Sequence, residues 1–334
     1  MLCHWGYLKM VRSNRISIAM ATYNGAQFLP EQLESFLSQS RLPDELVVCD
    51  DGSSDNTMNI LHEFSAAVPF EVRIERNVEN LGYVRNFEKA LSLCTGDLVF
   101  LSDQDDVWLP QKLRRVEAEF LANPAVLEIS NDMIITDAEL KHSNATQLGN
   151  VRASGLGDRR YAFGCCMALR REFLSILFPF PADVFSHDGW IADVTESLSI
   201  RKIIEEPLQL YRRHGNNGSN SFLSDPNKVT ALAMVSHLDL ASPLSGWDIH
   251  YQMIKAKREW IDFRKNDMAA LGLERKIAPF IQELDDEERD IRDRVALSGT
   301  TRLRRIPRVL SFWMSGRYRR FSGWKSAVKD ALRP

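Results

Sequence analysis

Apolar positions in the first third of the chain fall in short continuous runs, each closing in polar residues and most followed by apolar residues at three- and four-residue spacing. The runs 16–21, 45–49, 70–74 and 98–101 have the length and composition of buried strands. Between them, Phe28, Leu29, Leu33, Phe36 and Leu37, then Met58, Leu61, His62 and Phe64, then Phe87, Ala90, Leu91 and Leu93 mark helices, with Asp55 placed to cap the second. Strands alternating with helices predict an α/β fold whose mainly parallel central sheet is covered on both faces. Such sheets bind ligands at the carboxyl ends of their strands. Three runs close there in polar clusters: Thr22-Tyr23-Asn24-Gly25, Asp50-Asp51-Gly52-Ser53-Ser54-Asp55 and Asp103-Gln104-Asp105-Asp106.

Helical periodicity returns at 191–198 and over 246–297, where Trp260, Ile261, Phe263, Ile277, Phe280, Ile281, Leu284 and Ile291 carry it and Gly272 and Pro279 break it. The charged stretch 283–294 reads as a solvated face, and 219–226 as a mobile link into this helical region. The resulting division is a leader over 1–14, a catalytic domain over 15–222, a helical extension over 223–300 and a tail over 301–334.

Composition narrows the class. With 334 residues, 44% hydrophobic and 26% charged, the chain has ample material for a core and is neither disordered nor repetitive. No apolar run approaches the roughly 18 residues of a membrane-spanning helix. The first ten residues lack a signal-peptide pattern, and Met10 is an alternative start to Met1. Cys3, Cys49, Cys94, Cys165 and Cys166 form no paired framework or metal-like spacing, which fits a reducing cytoplasm.

Charge is uneven. Residues 301–334 hold ten Lys or Arg against the single Asp330, in a chain of formal net charge −3. Phe312, Trp313, Tyr318, Phe321 and Trp324 interleave with Arg317, Arg319, Arg320 and Lys325, the composition of a segment lying on a membrane surface. A helical tail packed on the catalytic domain has the same composition. Nucleic acid would also attract the patch, but the chemistry of the acidic cluster points elsewhere.

Asp103 and Asp105 lie two residues apart, so on extended chain they face the same way and can grip one hard divalent cation, Mg²⁺ or Mn²⁺. A solvated acidic turn is the competing reading.

The ordered set Thr22-Tyr23-Asn24-Gly25, Asp50-Asp51-Gly52-Ser53-Ser54-Asp55, Asn80-Leu81-Gly82 with Asn86, and Asp103-Gln104-Asp105-Asp106 resembles the family 2 glycosyltransferases, with their GT-A nucleotide-sugar-binding fold. With the downstream motifs the resemblance spans roughly residues 15 to 222. It implies an inverting, metal-dependent transfer of a sugar from a nucleotide donor. Asp51 is then the partner of the base, flanked by Thr22 and Tyr23; Asp103 lies near ribose and metal; Asp105 ligates the metal. Arg85 stands where related sequences often carry a basic residue that helps hold the donor; an ordinary helix surface charge is its other reading.

In Ser186-His187-Asp188-Gly189-Trp190, Asp188 matches the family's catalytic base, which takes the proton of the acceptor hydroxyl. His187 is alternatively a packed or capping histidine. His214, in Arg212-Arg213-His214-Gly215-Asn216-Asn217, matches a third metal ligand. Gly164-Cys165-Cys166 matches a region lining the acceptor side, where the cysteines read as small buried residues.

The combination is similar to bacterial rhamnosyltransferases of O-antigen and capsule synthesis, although Gly189-Trp190 replaces their common Trp-Trp and widens the acceptor side. The partners implied are a dTDP- or UDP-sugar, a glycan acceptor on a polyprenyl carrier, and the cytoplasmic face of the inner (plasma) membrane, with no nucleic acid. Two other classes stay open: a haloacid-dehalogenase-like phosphatase with Asp103 as nucleophile and Asp105 as acid, and a non-catalytic nucleotide-sugar-binding protein.

Overall fold

The computed structural model describes residues 13–215, Ser224 and 245–332. The expected leader lies outside these residues except for its last two positions, and the expected link at 219–226 except for Ser224.

Four strands, β1 (Ile16–Thr22), β2 (Glu45–Asp50), β3 (Glu71–Arg76) and β4 (Leu98–Ser102), pair in parallel in the order β3-β2-β1-β4. The sheet then turns mixed. β8 (Met167–Arg170) runs antiparallel to β4 and to β6 (Glu128–Thr136), which pairs in parallel with β9 (Arg201–Arg212). β5 (Val107–Trp108) closes that edge against β9, and β7 (His142–Thr146) pairs with β6. The parallel half is the part that repeated strand-helix alternation encodes. The mixed half is built from returns that leave no such period.

Alternation along β1 sends its side chains to two layers. Ile16, Ile18 and Met20 pack with Leu33 and Phe36 of helix α1 (Leu29–Leu37), Leu61 of α2 (Thr57–Ala67) and Phe120 of α4 (Lys112–Ala122). Ala19 joins Phe87 and Leu91 of α3 (Tyr83–Leu93), Phe173 of α6 (Arg171–Leu177) and Trp190 of α7 (His187–Ser197) on the other face. A short helix, α5 (Gln147–Ala153), covers β6 near its hairpin with β7.

The helical region packs onto α7. α8 (Ser245–Ala270) and α9 (Glu274–Ser298) are separated at Gly272, whose φ of +69° lies in the left-handed region that glycine adopts without strain. Pro279 does not break the pattern as expected, because α9 carries it within its second turn. Trp190 meets Trp260 edge-on at 5.7 Å, and the Trp260 indole N–H donates to the Ile176 carbonyl at 2.8 Å. Beside them Asp193 of α7 pairs with Lys257 of α8 and with Arg159, which also binds Glu283 of α9.

One surface expectation is corrected. The charged run 283–294 is only partly solvated: Asp290 and Arg294 are buried, since they face α10 (Arg302–Met314), α11 (Trp324–Leu332) and the turn between them. Most of the interleaved basic and aromatic residues of the tail also face inward. Arg317 binds Asp290 and Asp293, Arg320 binds Asp290 and Asp286, and Tyr318 and Phe321 are buried beside Arg294.

Candidate active site

Register brings the polar junctions together. Thr22 pairs with Asp50 across β1 and β2, and Met20 with Ser102 across β1 and β4, so residues 22–25, 50–55 and 103–106 leave one edge of the sheet side by side. Of these, Thr22, Tyr23, Asp51, Asp103, Gln104 and Asp105 line a cavity of about 680 Å³ with Asn80, Gly82, Tyr83, Arg160, Gly164, His187 and Asp188. A volume of several hundred cubic ångströms suits a small organic ligand.

Asp50 and Asp51 divide the work between them. Asp50 is fully buried and accepts from the Thr22 hydroxyl at 2.8 Å and from the Ser53 amide at 2.8 Å, which fixes the turn. Asp51 accepts from the Asn77 side chain and the Leu81 amide at 2.8 Å and from the Gly82 amide at 2.9 Å. The Asn80-Leu81-Gly82 motif therefore wraps the Asp51 carboxylate, while Asn86 donates to the Cys49 carbonyl beneath it. Gln104 exchanges hydrogen bonds with the backbone of Tyr23, at 2.9 and 3.1 Å. A Cβ on Gly25 would stand 2.2 Å from the Gln104 side-chain oxygen, so this clamp requires glycine there.

The acidic turn is held at both ends. β4 anchors Ser102, and Trp108 of β5 is buried edge-on against Phe36 at 4.8 Å. Asp106 accepts from Gln209 at 3.1 Å and from the Arg212 amide at 3.2 Å, tying the turn to β9. The Arg212 guanidinium continues the link to the Asp105 carbonyl, at 2.9 Å. Two residues later His214 returns to the turn, with Nε2 2.8 Å from Asp105 Oδ2.

Negative charge concentrates here. Burial, then the charges of Asp105 and Asp188, push the Asp103 carboxyl up to about 7. Burial, then Asp105 and Asp103, push Asp106 well above the usual carboxylate range. Lys112 lies fully buried below, donating to the Cys165 carbonyl and to Gln209, and burial pulls its pKa down to about 8. Carboxylates that raise one another's pKa are relieved by a bound cation. Asp103, Asp106 and Cys165 offer ligand atoms within 4.8 Å of one another. Hard divalent ions take oxygen over a protonated thiol, and the hydrogen bond with Cys166, then burial, push the Cys165 thiol well above its usual range. The acidic turn thus offers hard oxygen ligands that suit a divalent cation: Asp103 and Asp106 are brought together, and Asp105 stands paired with His214.

Asp188 reaches the cavity from the first turn of α7, where helix dipole and free amides favour an anion. Ser186 caps that helix by accepting from the Gly189 amide at 3.1 Å. A Cβ on Gly189 would lie 2.5 Å from the Ser186 hydroxyl oxygen, so the glycine spares the cap. His187 is buried and stacked on Phe87 at 4.1 Å, as a packed histidine, yet neither ring nitrogen has a hydrogen-bond partner among the described residues.

Arg85 is the expected donor contact that the structure places elsewhere. Its guanidinium binds Glu88 and the carbonyls of Phe180 and Pro181, at 3.1 and 2.9 Å, because α3 must hold the loop leading to α7. Arg160 takes the cavity wall instead, with no ion pair among the described residues. Sequence reasoning passed over it; its place four residues before Gly164, already singled out as lining the acceptor side, was the available signal.

Residues 17–178 match the family described as Glycosyl transferase family 2. An uncharacterized glycosyltransferase of Nostoc sp. is 29% identical over 227 residues, covering 65% of this chain and 70% of that one. A dTDP-rhamnosyl transferase of Shigella flexneri is 28% identical over 233 residues, covering 65% and 78%. The chain is a family 2 glycosyltransferase. Among solved structures, the mannosyltransferase of Pyrobaculum calidifontis in complex with GDP-Man and Mn²⁺ superposes with a TM-score of 0.50 at 17% identity, covering 82% of this chain and 88% of that one. That likeness shows the GT-A fold of the transferase. Family membership removes the phosphatase reading, since Asp103 closes the fourth strand of a nucleotide-sugar fold.

Proposed function

We propose that the transferase is an inverting, metal-dependent enzyme that moves a sugar, rhamnose being the first candidate, from a dTDP- or UDP-sugar to a polyprenyl-linked glycan. On this reading it works at the cytoplasmic face of the membrane in surface polysaccharide assembly, with a catalytic unit over 15–222 and a helical extension and tail beyond. The observation that carries it is the convergence of Asp51, Asp103, Asp105, His214 and Asp188 on one edge of the sheet, four of them around one cavity and His214 joined to it through Asp105. The likeness to the Shigella dTDP-rhamnosyl transferase supports the choice of sugar.

Asp51, with its loop, and Tyr23 hold the nucleoside end of the donor, with Thr22 behind them. Arg160 offsets diphosphate charge at the cavity wall. Asp188 accepts the acceptor hydroxyl's proton as the new carbon–oxygen bond forms and the bond to the diphosphate breaks, a single displacement that inverts the anomeric centre. A divalent cation, Mg²⁺ or Mn²⁺, held by Asp103, Asp105 and His214 would neutralise the charge developing on the departing nucleoside diphosphate.

A thermal-shift screen of nucleotide sugars with and without Mn²⁺ tests the reading, because a ligand that binds the folded state raises its melting temperature. Stabilisation by a dTDP- or UDP-sugar that requires the cation is expected. Indifference to every nucleotide sugar would overturn it.

A further inference from the structure

Helix α10 carries apolar residues on both of its long faces, only one of which is buried. Its inner face carries Arg305 and Val309. Val309 sits in a small core with Leu297, Tyr318 and Ala327, and the Arg305 guanidinium donates to the carbonyls of Ser298, Thr300 and Asp330 at 3.2, 2.7 and 3.2 Å. Its outer face should then be polar. It is not: Leu303 is 85% exposed, Ile306 45%, Leu310 54%, Trp313 48% and Met314 81%.

Steps of three, four, three and one residues put these five on one stripe of the helix. Single exposed apolar residues are ordinary; a continuous stripe marks an interaction site. Charge selects the occupant. Arg302, Arg304 and Arg308 of the same helix are exposed, as is Arg319 after it. The one carboxylate of the segment, Asp330, is buried against Arg294 at 2.6 Å, and the acids of α9 nearest to the tail already bind Arg317 and Arg320. A second copy of the chain would set these arginines against their own kind. Nucleic acid would use the arginines but leave the leucines and methionine in water. An anionic bilayer satisfies both, taking the apolar stripe at the acyl boundary and the arginines at its phosphates.

We infer that the outer face of α10 is a membrane-docking surface for anionic lipid. The inference rests on the peripheral-membrane reading above and replaces its diffuse basic tail with one helix face. The aromatic residues Tyr318 and Phe321, and the paired Arg317 and Arg320, become the frame that presents it.

Sedimentation of the full chain with phosphatidylglycerol-containing vesicles, against pure phosphatidylcholine, tests it without requiring a sugar acceptor. Wild type should bind the anionic vesicles and release as salt rises. A Leu303→Glu, Leu310→Glu, Met314→Glu variant should stay in the supernatant with an unchanged melting temperature, these side chains being exposed. Arg304→Ala and Arg308→Ala should each weaken binding about fivefold. If wild type ignores anionic vesicles, the peripheral-membrane reading falls with the inference. Equal binding by wild type and the triple glutamate variant would keep the membrane reading and remove α10 from it. A dimer that the triple variant splits, with no vesicle binding by either, would make the face a self-association surface instead.

Discussion

Asp105 and His214 are 109 residues apart in the chain and 2.8 Å apart in space, and the metal reading stands or falls on that pair. Asp105→Ala and His214→Ala should each weaken cation-dependent donor binding in a protein that still melts cooperatively. Wild-type donor affinity in both variants, measured by calorimetry with Mn²⁺, would remove them as ligands. The two arginines separate in the opposite sense. Arg85→Ala should lower stability, by about 1 to 3 kcal/mol, because Glu88 and two loop carbonyls lose a charged partner. Arg160→Ala should raise the KM for a substrate bearing a diphosphate without shifting the unfolding midpoint. Sequence reading succeeded where a residue's role is local, as with the acidic turn after an apolar strand. It missed Arg160 and exchanged its place with Arg85, because which of two arginines faces a cavity depends on how the 178–182 loop crosses α3, a non-local contact with no sequence period.

At the scale of elements, α7 matters most. It carries Asp188 at one end, Trp190 against Trp260 in the middle, and Asp193 in a cluster with Lys257, Arg159 and, through it, Glu283. Asp188, the proposed base, thereby sits on a helix held by the helical region. Burial works against ionisation of Asp193, yet Lys257 and Arg159 overrule it and hold the carboxyl down at about 2. A carboxyl depressed in the folded state stabilises the fold above its unfolded pKa, near 4, and that contribution drains away as pH falls from about 4 toward 2. Asp193→Asn should therefore cost on the order of 2 kcal/mol at neutral pH, read from denaturant midpoints, with the gap from wild type closing as pH drops through that window. A gap independent of pH would show that the pairing is not what fixes α7. The helices themselves were legible from their apolar spacing. That 283–294 turns its charges inward was not, because a run of Asp, Glu and Arg reads the same whether its partners are water or another helix.

The whole molecule joins a parallel half-sheet written plainly in strand-helix alternation to a mixed half that the sequence left unspecified. The proposed function draws on both: β1, β2 and β4 deliver Thr22, Asp51 and Asp103, while β9 returns His214 to the acidic turn and α7 brings Asp188. Among the described residues no helix is long and apolar enough to cross a membrane; on the proposed reading, a lipid-linked acceptor would be met beside the outer face of α10. Chemistry and membrane contact are then separable: the Leu303→Glu, Leu310→Glu, Met314→Glu variant should lose transfer to a lipid-linked acceptor more than to a soluble analogue. Equal losses on both acceptors would make the tail part of the catalytic fold. The most direct measurement compares wild type with Asp188→Asn, following nucleoside diphosphate release from dTDP- and UDP-sugars with Mn²⁺ and a polyprenyl-diphosphate-linked glycan while donor binding is measured in parallel. Donor binding should survive the substitution and turnover should fall by roughly 10² or more; near-normal turnover by the variant, or no nucleotide-sugar turnover by wild type, would contradict Asp188 as the base of a nucleotide-sugar transferase.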